Sequence, residues 1–135
     1  MAFYHALRTY ENDPDYPDKA AWIADHLLEL RKELFVSIQA DRTPGTLIIG
    51  SWNIRAFDEG KPRMDESYHY IAEIIDKFDI CAVQEIKSDL GPLRRLVKLL
   101  GPNWTISSPM SPMAAPETAN AWPFFIIPTG CFSAA

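Results

Sequence analysis

Two stretches decide the fold: Thr46-Leu47-Ile48-Ile49-Gly50-Ser51-Trp52-Asn53-Ile54 and Asp79-Ile80-Cys81-Ala82-Val83-Gln84-Glu85. Leu47, Ile48 and Ile49 form a continuous apolar, β-rich run, the pattern of a strand covered on both faces. Ile80, Ala82 and Val83 give the second stretch a similar core. Between the two, Tyr70, Ile71, Ile74, Ile75 and Phe78 recur at the period of one helical face. A helix is therefore predicted over Glu66 to Phe78, with Asp65 or Ser67 as its cap. Strand, helix and strand in this order predict two parallel neighbours joined by a right-handed crossover.

Upstream, Asp15 to Asp18 is a helix-start signal, and Ile23, Leu27, Leu30, Leu34 and Ile38 follow at steps of three and four. A leading amphipathic helix is expected over residues 18–40, closed by the turn Thr43-Pro44-Gly45. Downstream, Leu93, Leu96, Val97 and Leu100 mark a helix that begins near Pro92 and stops at Gly101-Pro102. Trp104 to Ser107 follows as a third strand. The whole order predicts an α/β (α+β) domain.

After Ser107 the chain changes character. Residues 108–135 hold five of the eleven prolines and a single charged residue, Glu117, without helical or strand periodicity. No regular element is expected there, although Trp122, Phe124, Phe125, Ile126 and Ile127 are unusually apolar for a disordered tail.

Composition narrows the classes. The 135 residues suit one domain, and 47% hydrophobic with 23% charged residues is the balance of a globular chain. A net charge of -5 excludes a global basic field of the kind that drives non-specific nucleic-acid binding. Cys81 and Cys131 form neither a spaced metal motif nor a disulfide framework, which suits a reducing compartment. Met1 to Pro14 lacks the apolar region of a secretory signal, and Trp122 to Ile127 is broken by Pro123 and too short to span a membrane. A cytoplasmic location is the expectation.

Chemistry is expected at the ends of the first two strands. Asn53 closes the first and Glu85 the second, and parallel neighbours would set these ends side by side in the crevice where open α/β sheets bind ligands. A carboxylate with a carboxamide is a hard oxygen pair that suits Mg²⁺ held together with a substrate phosphate. A turn residue and a solvated strand end are the plainer alternative. A nucleotide-binding loop is disfavoured, because Ser51-Trp52-Asn53-Ile54-Arg55 lacks the glycines that let a backbone cradle a pyrophosphate.

The segment Leu47 to Arg55, then Glu66-Ser67 with Tyr70-Ile71-Ala72-Glu73-Ile74-Ile75, then Phe78 to Ile86 resembles the opening of the endonuclease/exonuclease/phosphatase superfamily. It is similar in particular to bacterial members of the deoxyribonuclease-like branch, over about residues 46–107. The resemblance implies a four-layer α/β/β/α sandwich, of which this chain supplies only the N-terminal part. It also implies Mg²⁺-dependent hydrolysis of phosphoric esters, with nucleic acid the favoured substrate. Carried onto this chain, Glu85 becomes the metal ligand, Asn53 orients the phosphate, and Arg55 is a further phosphate contact.

Three later motifs of that family are absent: a Gly-Asn-x-Glu-Arg segment, an Asp-x-Asn segment and a terminal Asp-His pair. His5, His26 and His69 match no catalytic position and are expected on helix faces or the surface. Arg94 and Arg95 form a small basic spot that a solvated helix face explains equally well. Read one base out of frame, the codons for Pro109 to Ala135 permit a Gly-Asn-Gly-Glu-Arg-Met-Ala-Phe-Phe-Tyr segment at a fitting distance after Glu85. A frameshift near Ile106 to Ser108 is therefore expected, dividing the chain into an N-terminal extension (1–45), a partial domain (46–107) and an out-of-frame tail (108–135). Such a chain would be a catalytically incomplete hydrolase. The alternative is a small α/β interaction module whose leading helix docks a partner.

Overall fold

The computed structural model describes residues 2, 4–54, 63–84, 90–107 and 124–129. Three helices, α1 (Lys19–Leu34), α2 (Asp65–Ile75) and α3 (Gly91–Leu100), accompany four strands: β1 (Ile49–Asn53), β2 (Ile80–Gln84), β3 (Trp104–Ser107) and β4 (Phe124–Pro128). A 3₁₀ helix, His5–Tyr10, precedes α1, and a π-helical turn, Phe35–Gln39, extends it. The α/β class predicted from the element order is thus what the chain forms.

The sheet runs in the order β1-β2-β4-β3. β1 and β2 are parallel, with Ile49 opposite Ile80 and Asn53 opposite Gln84, while β4 is antiparallel to both β2 and β3. Asp79 fastens the start of the parallel pair. Its carboxylate accepts the Ile48 N–H at 2.8 Å and an Arg42 guanidinium, and its own N–H donates to the Ile48 carbonyl. Burial works against ionisation there, but these donors hold the Asp79 carboxyl below its ordinary value.

β4 corrects the expectation that residues 108–135 contain no regular element. Ile126 and Ile127 are buried, and Phe124–Pro128 fills the position between β2 and β3. Four consecutive apolar residues between Pro123 and Pro128 suit an interior strand, which needs no alternation. A second correction concerns β1. Leu47 lies before the strand and is 66% exposed, and Ile49 is 67% exposed, because alternation along β1 puts Ile49, Ser51 and Asn53 on the face away from the helix-covered core.

α2 and α3 pack together over one face of the sheet. Tyr68, Ile71, Ala72 and Ile75 of α2 and Leu93, Leu96 and Leu100 of α3 close on Cys81, Val83 and Ile126. Gly50 is required here for close approach: a Cβ at this position would lie 2.9 Å from the Phe78 ring. α3 ends as its sequence predicts, at Gly101 with φ 97°, a left-handed conformation that glycine adopts without strain. At the start of α2, Asp65 and Glu66 occupy the first turn after Met64, where carboxylates favour the helix dipole.

The leading helix packs on its own chain. Ile23 and Leu27 of α1 are buried, and α1 is tied to α2 by a buried ionic cluster centred on Glu73, which is fully inaccessible. Arg31 donates to both Glu73 oxygens at 2.9 and 3.2 Å and to the Tyr4 hydroxyl at 2.8 Å. Lys77, one turn along α2, reaches the same carboxylate at 2.7 Å. Three charge-assisted contacts on one carboxylate make an N-terminal clasp of considerable specificity.

Candidate functional site

The parallel register brings the ends of β1 and β2 together. Asn53 stands opposite Gln84, and both are exposed. Because side chains alternate along a strand, Ser51, Asn53 and Gln84 share one face of the sheet, away from Cys81 and Val83 and the helices that cover them. Gln84 Nε2 donates to Ser51 Oγ at 2.9 Å, which fixes that carboxamide across the strand pair. Asn53 therefore stands where strand order and helix length place it. Glu85 and Arg55, the other residues expected in the site, lie outside the described residues.

The described residues do not by themselves make a magnesium site. At the strand ends they offer a hydroxyl and two neutral carboxamides, and among the described residues no group of three His, Cys, Asp or Glu gathers around a common point. Mg²⁺ is normally held through at least one carboxylate. In the chain, the carboxylate nearest to this corner in sequence is Glu85.

Histidine chemistry is also missing from this corner. His5 is exposed on the 3₁₀ helix, and His26 donates from Nδ1 to the Trp22 carbonyl at 2.7 Å with its ring over Trp22. Among the described residues no histidine is ion-paired with a carboxylate, as a general base activated by an acid would be. His69 stands on a helix face, that of α2, but a buried one: it is 4% exposed, with its ring edge-on to Tyr10 at 6.2 Å.

His69 lies in a second concavity, a groove of about 870 Å³ between the 3₁₀ helix and α3. Arg95 crosses it to Asp65 at 2.8 Å and covers the Tyr68 ring at 4.3 Å. Burial and the neighbouring Arg95 lower the His69 pKa, against Asp65 and Glu66, so the ring is neutral near pH 7. Burial together with Asp65 and Glu66 pushes the Tyr10 hydroxyl up to about 12. Sequence periodicity missed this groove; the available signal was the cationic face Arg94, Arg95 and Lys98, spaced by three and four residues.

Comparison with known protein families, with curated proteins and with solved structures finds no significant match for this chain. Among the described residues no helix is long and apolar enough to cross a membrane.

Proposed function

We propose that this chain is the opening part of a cytoplasmic, Mg²⁺-dependent phosphodiesterase of the endonuclease/exonuclease/phosphatase type, catalytically incomplete on its own. The observation that supports it is the parallel register of β1 and β2 across an intervening helix, which sets Asn53 beside Gln84 with Glu85 next in the chain. This is the order of motifs that carries the resemblance. Asn53 orients a phosphate oxygen of a nucleic-acid backbone, Arg55 adds a cation, and Glu85 is the ligand for the metal. Bound there, Mg²⁺ would supply Lewis-acid polarisation of the phosphoryl oxygen. After Glu85 the chain has neither the Asp-x-Asn segment nor the terminal Asp-His pair that would complete the reaction.

Titration with Mn²⁺, followed by NMR, tests the site. Paramagnetic broadening of the Asn53 and Gln84 amides that disappears in Glu85→Ala is expected, with no cleavage of supercoiled plasmid in Mg²⁺. Absence of broadening, or broadening that persists in Glu85→Ala, overturns the metal assignment; cleavage lost in Glu85→Ala overturns the incompleteness. The out-of-frame origin of residues 108–135 is tested separately in the gene. It is rejected if the codons of Ala119, Asn120 and Ala121 do not spell Glu-Arg in the shifted frame.

A second function, docking of a partner by the leading helix, is favoured by a different observation. Although Ile23 and Leu27 are covered by the chain itself, Trp22, Leu28, Phe35 and Val36 remain more than half exposed along α1 and its π-helical turn.

A further inference from the structure

We propose that the groove between the 3₁₀ helix and α3 binds a mononucleotide, independently of the strand-end site. None of its lining residues belongs to β1 or β2. Trp104, in its wall, opens β3, which runs in the same direction as β1, so it stands at the opposite end of the sheet from Asn53.

Charge gives the first argument. On a chain of net charge -5, three cations, Arg94, Arg95 and Lys98, line one groove. The one carboxylate lining it among the described residues, Asp65, is already engaged by Arg95 at 2.8 Å. Arg94 and Lys98 stand one helical turn apart on α3 and form no ion pair among the described residues. Like charges at that spacing repel each other, and a phosphate placed between them turns the repulsion into attraction. Both side chains are exposed, so they can reach a ligand without disturbing the core.

Shape and polarity give the second. A groove of about 870 Å³ lies within the range of sites that enclose a small organic ligand. Its walls pair half-buried aromatics, Tyr10 and Trp104, with apolar Val97 and Leu99, surfaces on which a flat heterocycle stacks. His69, nine-tenths buried and lining the same groove, makes no hydrogen bond among the described residues. Its ring, neutral because burial and Arg95 disfavour the charged form, offers one donor and one acceptor to the edge of a base or to a ribose hydroxyl. Stacking walls, a neutral hydrogen-bonding imidazole and a cationic rim together match a base, a sugar and a phosphate.

Calorimetric titration of the full chain with AMP, adenosine and inorganic phosphate tests the assignment. AMP is expected to bind with a Kd of about 1 mM or tighter and to lose about tenfold or more in the double variant Arg94→Glu, Lys98→Glu. Adenosine and phosphate should each bind more weakly than AMP. Because both substituted positions are exposed, the thermal midpoint should stay near that of the parent, which confirms that the variant is folded. As a second measurement, AMP should shift the amide resonances of residues 5–10 and of α3. The proposal is overturned if AMP does not bind, if the double variant binds it equally well, or if inorganic phosphate binds as tightly as AMP.

Discussion

Replacing Arg31 by Met is expected to cost far more than the loss of an ordinary surface ion pair. Glu73 is fully inaccessible and receives three charged contacts, two from Arg31 at 2.9 and 3.2 Å and one from Lys77 at 2.7 Å. Burial pushes its carboxyl up from the ordinary value while Lys77 pulls it down. The net effect is upward, so the carboxylate depends on its donors, and the bidentate Arg31 fork supplies two of the three. Arg31→Met removes two of the three donors and the hydrogen bond to Tyr4, while preserving most of the side chain's apolar length. Breaking a buried pair costs about 3–5 kcal/mol, and because Lys77 stays in place the lower end applies, about 3 kcal/mol. At this chain length that corresponds to a fall of roughly 10 °C in thermal midpoint. Urea unfolding at neutral pH measures the free energy directly. Arg31→Lys, which keeps the charge and loses the fork, should fall between the parent and Arg31→Met. If Arg31→Met costs less than about 1 kcal/mol, as an exposed pair would, the clasp does not hold α1 to α2 in solution.

Three further outcomes are expected. The folded chain binds a proton at His69 less readily than the unfolded chain, so the stability linked to it is fully present above pH 6.5 and is lost as the pH falls through the lowered value; unfolding free energies measured across that range in the parent and in His69→Gln should show a flatter dependence in the variant. Gly50→Ala would place a methyl group 2.9 Å from the Phe78 ring and should destabilise the chain by about 1–3 kcal/mol, with partial recovery in Gly50→Ala, Phe78→Leu, and an unchanged urea midpoint would contradict the close approach. Burial pushes the Cys81 thiol up to about 11, so in a Cys131→Ser background a thiol reagent at neutral pH should label the chain only on unfolding; rapid labelling of native protein would place Cys81 outside the core.

Local pattern predicted most of the elements, because each follows from a period or a punctuation mark. The α3 stop at Gly101, the parallel β1–β2 pair and the strand Trp104–Ser107 all answer to such signals. Asn53 stood out for the same reason, since a polar residue ending an apolar run is visible without coordinates. Glu73 and His69 did not stand out. Periodicity predicts one buried stripe per helix, but α2 is covered by α1 and α3, with Tyr10 of the 3₁₀ helix against His69, so Tyr68, His69, Ile71, Ala72, Glu73 and Ile75 are all buried. No stripe rule anticipates a helix packed on several sides. β4 was missed for another reason: Phe124 to Ile127 has the apolar continuity accepted as a strand signal at Leu47 to Ile49, but it lies among prolines and almost no charge. In the shifted frame the same codons permit Phe-Phe-Tyr-His, so an apolar, aromatic start to this segment is compatible with either frame.

The place of β4 also sets an order of events on the ribosome. β3 touches the sheet through β4 alone, and β2 keeps an open edge until β4 arrives. A nascent chain that has emerged as far as Ser107 can therefore join β1 to β2 beneath α2, while Trp104–Ser107 waits for residues 124–128. During that interval the unpaired edge of β2, with Cys81 and Val83 at its centre, is the surface most open to capture by another chain.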